Sequence, residues 1–532
     1  MVDPMVVVEY LYEDMKKLVD LPLEKMVSDL SELGAPSEYE PETRKIISEL
    51  TPNRPDWYSM EGLARALRAF NGQGHPTYKT HPSQYKVLVD PSVEAIRPHT
   101  ACAVVRGLWF DDGRIADVVL LQEKLIATLG RRVKKFGLGI YPLGAIHFPV
   151  RYTTMKPEEI RYVPLGCDVE MTAEEILKEH KKGQQYGHII EGHGRYPVFV
   201  DANKKIMALI PIVNSAETGK VDTNTKEVFI EVSGTDLNAC KAALNIIVCT
   251  FADMGGTIYQ VSIEQGKNSF LSPNLKPTKI KIKLDEFNKI LGIGLKEKEV
   301  RSLLGRMGYE YAAGGVVVPP YRADVMDAVD VLEDLAIAYG YNNFKPTIPD
   351  FFHPGKVSRA LEGIDQTMRG MGFMEMKTFI LTNKEKVAQA GFEGEIMEIS
   401  NPANEEYTII RPNLLVPLLE VFATNKMKGL PQRIYEIGLV REHKKEAKRL
   451  VFGSMDVKVE FAAMRGYVQT LASEKGWKIS VVKKEIVGFD PGFSCGIMKD
   501  GNEFGRFGKV SKEVLQKFGL DFEVYVCEMG VE

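Results

Sequence analysis

Asp324, Asp327, Asp330, Glu333 and Asp334 stand in one short stretch, and no Lys or Arg occurs from Val325 to Tyr341. On a helix, Asp330 shares a face with Glu333 at i+3 and Asp334 at i+4. Like charges so spaced repel, and something positive should offset them. Hard oxygen donors suit Mg²⁺ best, with waters kept in its shell. The other reading is a solvated acidic face with Arg322 as its partner. Spacing alone leaves both open.

Other chemistries are excluded. There is no GxxxxGK[ST] loop, no HExxH and no GxSxG, and Leu291-Gly292-Ile293-Gly294 lacks the third glycine of a dinucleotide fingerprint. His180 and His188 lie on a polar segment without a partner at ligand spacing, so they read as solvated. Cys102, Cys167, Cys240, Cys249, Cys495 and Cys527 are scattered with no CxxC pair, which fits a reducing compartment and gives no zinc signature.

Positioning such groups takes several domains, since 532 residues are too many for one core. Charges nearly cancel, 68 Lys+Arg against 72 Asp+Glu, so any nucleic-acid contact must come from local patches. The polar N-terminus does not read as a signal peptide, and no apolar run reaches the roughly 18 residues of a membrane span. Breaks are expected at 72–83, at 267–277 and at 346–355, where Pro, Gly, Asn and Ser cluster.

Apolar periodicity predicts helices over Trp57–Phe70, Val118–Leu129 and Leu237–Phe251. Asp56 is expected to cap the first, and Thr235 or Asp236 the third. Strands are expected over 86–90, 102–108, 136–140 and 228–232. The mixture makes the chain α/β or α+β.

At the acidic helix the sequence becomes recognisable. Tyr321-Arg322-Ala323-Asp324, Asp330-Val331-Leu332-Glu333-Asp334 and Ala336-Ile337-Ala338-Tyr339-Gly340-Tyr341-Asn342-Asn343 resemble the B5 domain of phenylalanine–tRNA ligase beta subunits. Thr51-Pro52-Asn53-Arg54-Pro55-Asp56, followed by Ser59, Gly62 and Arg65, resembles that family's NRPD motif. Gln122-Glu123-Lys124-Leu125, Gly130-Arg131-Arg132, Gly139-Ile140-Tyr141 and Phe229-Ile230-Glu231-Val232-Ser233-Gly234-Thr235-Asp236 continue the likeness. So do Asn401-Pro402, Glu405-Glu406-Tyr407-Thr408 and Arg433-Ile434-Tyr435-Glu436-Ile437-Gly438. The motifs come in family order across most of the chain, whose length suits the shorter archaeal or eukaryotic-type subunit.

The resemblance implies an α+β multidomain fold. Its parts would be an N-terminal domain over 1–83, a B3/B4 editing domain over 84–266, and a winged-helix-like, magnesium-binding B5 domain over 267–346. Residues 347–532 would form a class II synthetase-like antiparallel-sheet domain that has lost catalysis. The implied enzyme is a cytoplasmic α2β2 ligase, free of the membrane, that charges tRNA(Phe) with L-phenylalanine using ATP and Mg²⁺. Aminoacylation falls to the alpha subunit, and the beta subunit hydrolyses tyrosyl-tRNA. The family's magnesium carboxylates map to Asp324, Asp330, Glu333 and Asp334, with Asp327 outside the set.

Editing of this kind must read one phenolic hydroxyl. A buried carboxylate would serve, being acceptor-only when ionised. Glu231, just before a Ser-Gly-Thr-Asp turn, is the expected reader, with Ser233, Thr235 and Asn214 holding water, the α-amino group or ribose hydroxyls. Thr235 and Asp236 also read as helix caps. No Ser-His or Cys-His nucleophile is visible. The rivals are an editing-inactive scaffold subunit, and a free-standing metal-dependent hydrolase for which no second ligand set is visible.

In the last domain, Arg433-Ile434-Tyr435-Glu436 occupies the place of a class II arginine–glutamate motif, and Arg433 is expected to pair with Glu436. No GxGxxxR stretch follows; Gly505-Arg506-Phe507-Gly508 has the wrong order. Arg131, Arg132, Lys134 and Lys135 could meet tRNA phosphates, a helix dipole or the alpha subunit. Lys444, Lys445, Lys448 and Arg449, after His443, read as a solvated loop. Phe136 reads as a strand core residue.

Overall fold

The structure is a computed structural model that describes residues 6–312, 315–348, 355, 361–392, 394–442 and 444–531. The expected break residues Pro349, Asp350 and Pro354, and His443, lie outside the described residues. The chain forms two compact units, Met1–Ile348 and Pro349–Glu532. Together they make an α+β multidomain fold.

In the first unit, helix α1 (Met60–Phe70) starts after Ser59, whose hydroxyl accepts from Gly62 N at 3.1 Å. Ser59 is therefore the cap. The expected cap, Asp56, is instead held by Arg54 through two 2.9 Å bonds. Strand β1 (Lys86–Val89) and strand β2 (His99–Arg106) lead to helix α2 (Asp112–Ala127) and strand β3 (Phe136–Pro142). Strands β4 (Val150–Met155), β5 (Tyr196–Val200), β6 (Ile206–Leu209), β7 (Val213–Asn214) and β8 (Glu227–Gly234) follow. Helix α3 (Leu237–Asp253) and strand β9 (Thr257–Gln265) complete the set.

These strands join one large sheet in the order β7-β6-β5-β4-β1-β9-β2-β8-β3. Pairing is antiparallel except at β4–β1 and β1–β9. Period-two alternation decides the two faces. Ile230 and Val232 of β8 join the apolar cluster that contains the α3 residues Leu244 and Ile247. Glu231 and Ser233 point the other way, and their β3 partners are Gly139 and Gly137. Asp236 caps α3, as expected, accepting from Asn238 N and Ala239 N. Phe136 is fully buried, as expected.

Farther along, Thr278–Lys281, Glu310–Ala312 and Gly315–Val318 form a three-stranded sheet beside helices Leu284–Leu291 and Glu297–Arg306. Helix α4 (Ala328–Tyr339) begins at its cap Asp327 and stops at Gly340, whose φ of 90° continues no helix.

The second unit is built on a seven-stranded sheet. A short strand, Met374–Glu375, runs parallel to the edge of β10 (Gln432–Glu442). Next to β10 come β11 (Lys445–Asp456), β15 (Glu523–Gly530), β14 (Asn502–Val510), β13 (Phe489–Lys499) and β12 (Ile479–Lys483), all antiparallel. The Lys445–Arg449 segment expected as a loop is therefore strand. Arg449 is clamped by Glu442 through two 2.7 Å bonds.

Candidate functional site

The cavity of most chemical interest wraps around the free edge of β3. It holds about 570 Å³. Its walls are apolar, with Ile115, Val118 and Ile126 of α2, Leu138 and Ile140 of β3, and the 209–213 turn. Gln122, Lys182, Gln185 and Lys220 bring polar groups to it, and Asn214 and Glu231 are its polar floor. An apolar recess with a few convergent polar groups is the usual form of a small-ligand site.

Glu231 lies at the centre of β8 and is 1% exposed. Its Oε2 accepts from Ser233 at 2.5 Å, and Ser233 and Thr100 share a 2.8 Å hydrogen bond. Its Oε1 lies 3.4 Å from the Tyr141 hydroxyl, which is also 3.2 Å from Asn214 Oδ1. Burial pushes the Glu231 carboxyl up to about 7, against the Ser233 hydrogen bond, the Arg97 charge and the Tyr141 hydroxyl, which favour the ionised form.

The glycines of β3 make room for this group. A Cβ on Gly139 would stand 2.5 Å from Tyr141 Oη and 2.8 Å from Glu231 Oε1. Arg97 braces the same place from inside. Its buried Nη2 donates to Val133 O at 3.0 Å and Ser233 O at 3.1 Å. Val133 ends a turn in which Arg131, Arg132 and Val133 all have positive φ, at 48°, 51° and 67°. A β-branched residue rarely adopts that conformation, so the turn is strained and needs its anchor.

The structure thus brings together three of the four expected pocket residues. Glu231 and Asn214 line the cavity. Ser233 acts through Glu231, and among the described residues no serine, threonine, cysteine or histidine lines the cavity. Thr235 lies elsewhere, with its hydroxyl donating to Lys134 O at 3.0 Å. At the end of a strand the alternation carries it past the cavity. Arg97, Thr100 and the role of Tyr141 were missed by sequence reasoning. The signal available was Gly137 and Gly139 at i, i+2 on one strand face, which marks a close approach of other groups.

The acidic helix has a different environment. Arg322 is buried and donates to Asp324 at 2.9 Å and 2.7 Å, and its Nη2 also lies 2.6 Å from Asp334. Tyr309 donates to Asp334 as well. Asp330 accepts from Met326 N at 2.7 Å and Asp327 N at 2.8 Å, closing the capping box of α4. Glu333 is exposed. Among the described residues no group of three or more His, Cys, Asp or Glu is arranged to hold a metal ion. Of the four carboxylates, the buried Asp334 and the half-buried Asp324 both face the Arg322 guanidinium.

The NRPD-like motif is also built into a charged core. Arg65 pairs with Asp253 at 2.5 Å and lies over the Tyr321 ring at 3.9 Å. In the second unit, Glu436 pairs with Arg411 at 2.9 Å rather than with Arg433. Positions 433 and 436 point to opposite faces of β10, so the expected pair cannot form within the strand. Arg433 lies over the Tyr467 ring at 5.8 Å instead. Arg506 is held by Glu528 at 2.9 Å.

Comparison with known proteins places these sites in context. The family model described as "Phenylalanyl tRNA synthetase beta chain CLM domain" matches residues 356–531, and "tRNA synthetase B5 domain" matches 280–341. The phenylalanine–tRNA ligase beta subunit of Archaeoglobus fulgidus is 36% identical, covering 99% of this chain and 98% of the relative. That of Methanothrix thermoacetophila is 35% identical over 99% of both. A solved N-terminal fragment of the Pyrococcus horikoshii phenylalanyl-tRNA synthetase beta subunit superposes with a TM-score of 0.60 at 33% identity, covering 63% of this chain and 99% of the fragment.

Proposed function

As this chain belongs to the family of phenylalanine–tRNA ligase beta subunits, we propose that it is the editing and partner-binding half of an α2β2 ligase. The complex charges tRNA(Phe) with L-phenylalanine at the expense of ATP, and the alpha subunit holds the aminoacylation site. Two observations favour that division. The arginines Arg449 and Arg506 of the second unit are committed to carboxylates, so neither is free for an ATP phosphate. Exposed apolar side chains on the same unit, among them Met374 at 72% and Phe379 at 76%, suit a protein partner. Mg²⁺ belongs in this reading with ATP on the alpha subunit, and no step on this chain runs through it. Among the described residues no helix is long and apolar enough to cross a membrane, and we place the complex in the cytoplasm.

Editing of tyrosyl-tRNA(Phe) is assigned to the β3-edge cavity, within the 84–266 editing domain. The observation that carries it is Glu231, a buried acceptor on the floor of an apolar recess. A tyrosyl side chain entering the recess donates its hydroxyl to Glu231, and a phenylalanyl side chain has nothing to donate. Since among the described residues the lining offers no serine, threonine, cysteine or histidine, water is the nucleophile. Water adds to the ester carbonyl carbon, the bond to the ribose oxygen breaks, and that oxygen leaves with a proton.

The test is deacylation of tyrosyl-tRNA(Phe) by the complex, wild type beside Glu231→Ala. Loss of deacylation in the variant alone supports the assignment. A wild-type complex that charges phenylalanine but leaves the tyrosyl ester intact would make this chain an editing-inactive scaffold.

A further inference from the structure

The hydrogen bonding around Glu231 is incomplete in one place. Oε2 is served by the Thr100–Ser233 chain. Among the described residues Oε1 has a single donor, Tyr141, at 3.4 Å. An O–H···O bond is ordinarily about 2.7–2.8 Å. The same phenol lies 3.2 Å from Asn214 Oδ1, and it has one proton to give. Its ring is fully buried and packs on Phe229 with centroids 6.0 Å apart. The hydroxyl proton can turn between the two acceptors, but the ring is held.

We propose that Tyr141 is a specificity-determining residue of this cavity. Its phenol stands in for a ligand phenol on Glu231 Oε1 and yields to it by turning its proton to Asn214. The inference rests on the reading of the cavity as a tyrosyl-ester site. Glu231 gains a partner when a hydroxyl-bearing ligand enters, and Tyr141 keeps one on Asn214. When a ligand without the hydroxyl enters, Tyr141 returns its proton to Glu231, so the carboxylate is not stranded. The wild-type cavity therefore separates the two ligands less sharply than a lone acceptor would.

Probes that cannot be hydrolysed give the direct test: 3′-amino-3′-deoxyadenosine carrying tyrosine or phenylalanine in amide linkage. Each is titrated calorimetrically into the full complex. Tyr141→Phe should raise the preference for the tyrosyl probe by about ten-fold, since nothing then relieves Glu231 when the hydroxyl is missing. Asn214→Ala removes the alternative acceptor and should lower the preference. The pH midpoint of tyrosyl-probe binding gives a second readout. The charged and titratable groups facing Glu231 are Arg97, Cys102, Tyr141, Tyr152 and Cys240. Tyr141→Phe takes a donor from the ionised carboxylate and should move that midpoint upward.

If Tyr141→Phe weakens both probes alike and leaves the midpoint in place, the residue only packs, and the inference falls. It falls too if neither probe binds the wild-type complex. If the probe preference shifts as stated while tyrosyl-tRNA is not hydrolysed, the editing assignment fails and the role of Tyr141 stands.

Discussion

Arg322 Nη2 lies 2.6 Å from Asp334 Oδ2, and neither side chain is more than 8% exposed. The same nitrogen reaches Asp324 at 2.7 Å. Two carboxylates of the acidic run thus have a positive partner in the arginine just ahead of them in sequence. Arg54–Asp56 and Arg65–Asp253 are buried pairs of the same unit. The most conspicuous motifs of this chain thereby serve its core.

Removing Arg322 should be costly. Arg322→Met leaves the buried Asp334 and the half-buried Asp324 without their paired guanidinium, and breaking a buried pair in this way costs about 3–5 kcal/mol. Denaturant unfolding of the full chain measures it. Burial opposes ionisation of Asp324, yet the Arg322 charge and hydrogen bond hold its carboxyl below the usual range. A carboxyl with a lowered folded pKa contributes stability that is present above its ordinary value, about 3.9, and is lost as pH falls through the lowered one. That acid limb should shrink in Arg322→Met, leaving only the smaller share that the Arg54 charge supplies. A chelator should leave the wild-type unfolding midpoint unchanged; a drop of several degrees would show that a metal, not the arginine, balances these charges.

Glu231 has the opposite linkage. Burial raises its carboxyl from 4.5 to about 7, so between those values the folded state holds a proton that the unfolded state has released. Stability should be full below the ordinary value and fall as pH rises through about 7. Glu231→Gln removes this contribution. Its unfolding free energy should be flatter than that of wild type from pH 4.5 to 7, while Glu61, also raised to about 7 by burial, keeps its own share. Parallel pH profiles for the two proteins would contradict the burial of Glu231.

Gly139→Ala should silence the cavity. The new methyl would lie 2.8 Å from Glu231 Oε1 and 2.5 Å from Tyr141 Oη, on the space where a ligand hydroxyl must arrive. Tyrosyl-tRNA deacylation should drop at least ten-fold while phenylalanine charging continues, because the binding geometry fails and not the complex. Equal rates for variant and wild type would mean that the ligand does not approach this face of β3.

How far the sequence could be read follows from the reach of its signals. Helix α3 and strand β8 were legible, since Leu244, Ile247, Ile230 and Val232 repeat at the periods of their elements. The start of α1 was misplaced because Asp56 is a good cap by type, and only the fold shows it engaged by Arg54. Glu231 was legible as a carboxylate beside a turn. Its relation to Tyr141 was not, since 90 residues separate them and only strand register joins them. The acidic helix was legible only in part, for a related reason. Carboxylate spacing looks the same whether the balancing cation is a metal or a guanidinium, and it does not reveal that Tyr309 and Arg322 pack against Asp334.

The turn after α2 carries the last prediction. Arg131 and Arg132 are exposed and have no ion pair among the described residues, whereas Lys135 is paired with Asp236 at 2.9 Å. Their left-handed backbone is held by Arg97 through Val133 O, so the chain tolerates strain to keep two free cations near the cavity. Phosphate binding explains that placement better than dipole compensation, which any relaxed turn would supply. The double variant Arg131→Ala, Arg132→Ala should weaken tRNA(Phe) binding by the complex. It should also reduce the slope of log affinity against log salt by about 1.4–1.8, at 0.7–0.9 for each phosphate no longer neutralised. Stability should change little, since neither side chain is paired. If unfolding shifts and the salt slope does not, the two arginines compensate the helix end and tRNA passes elsewhere.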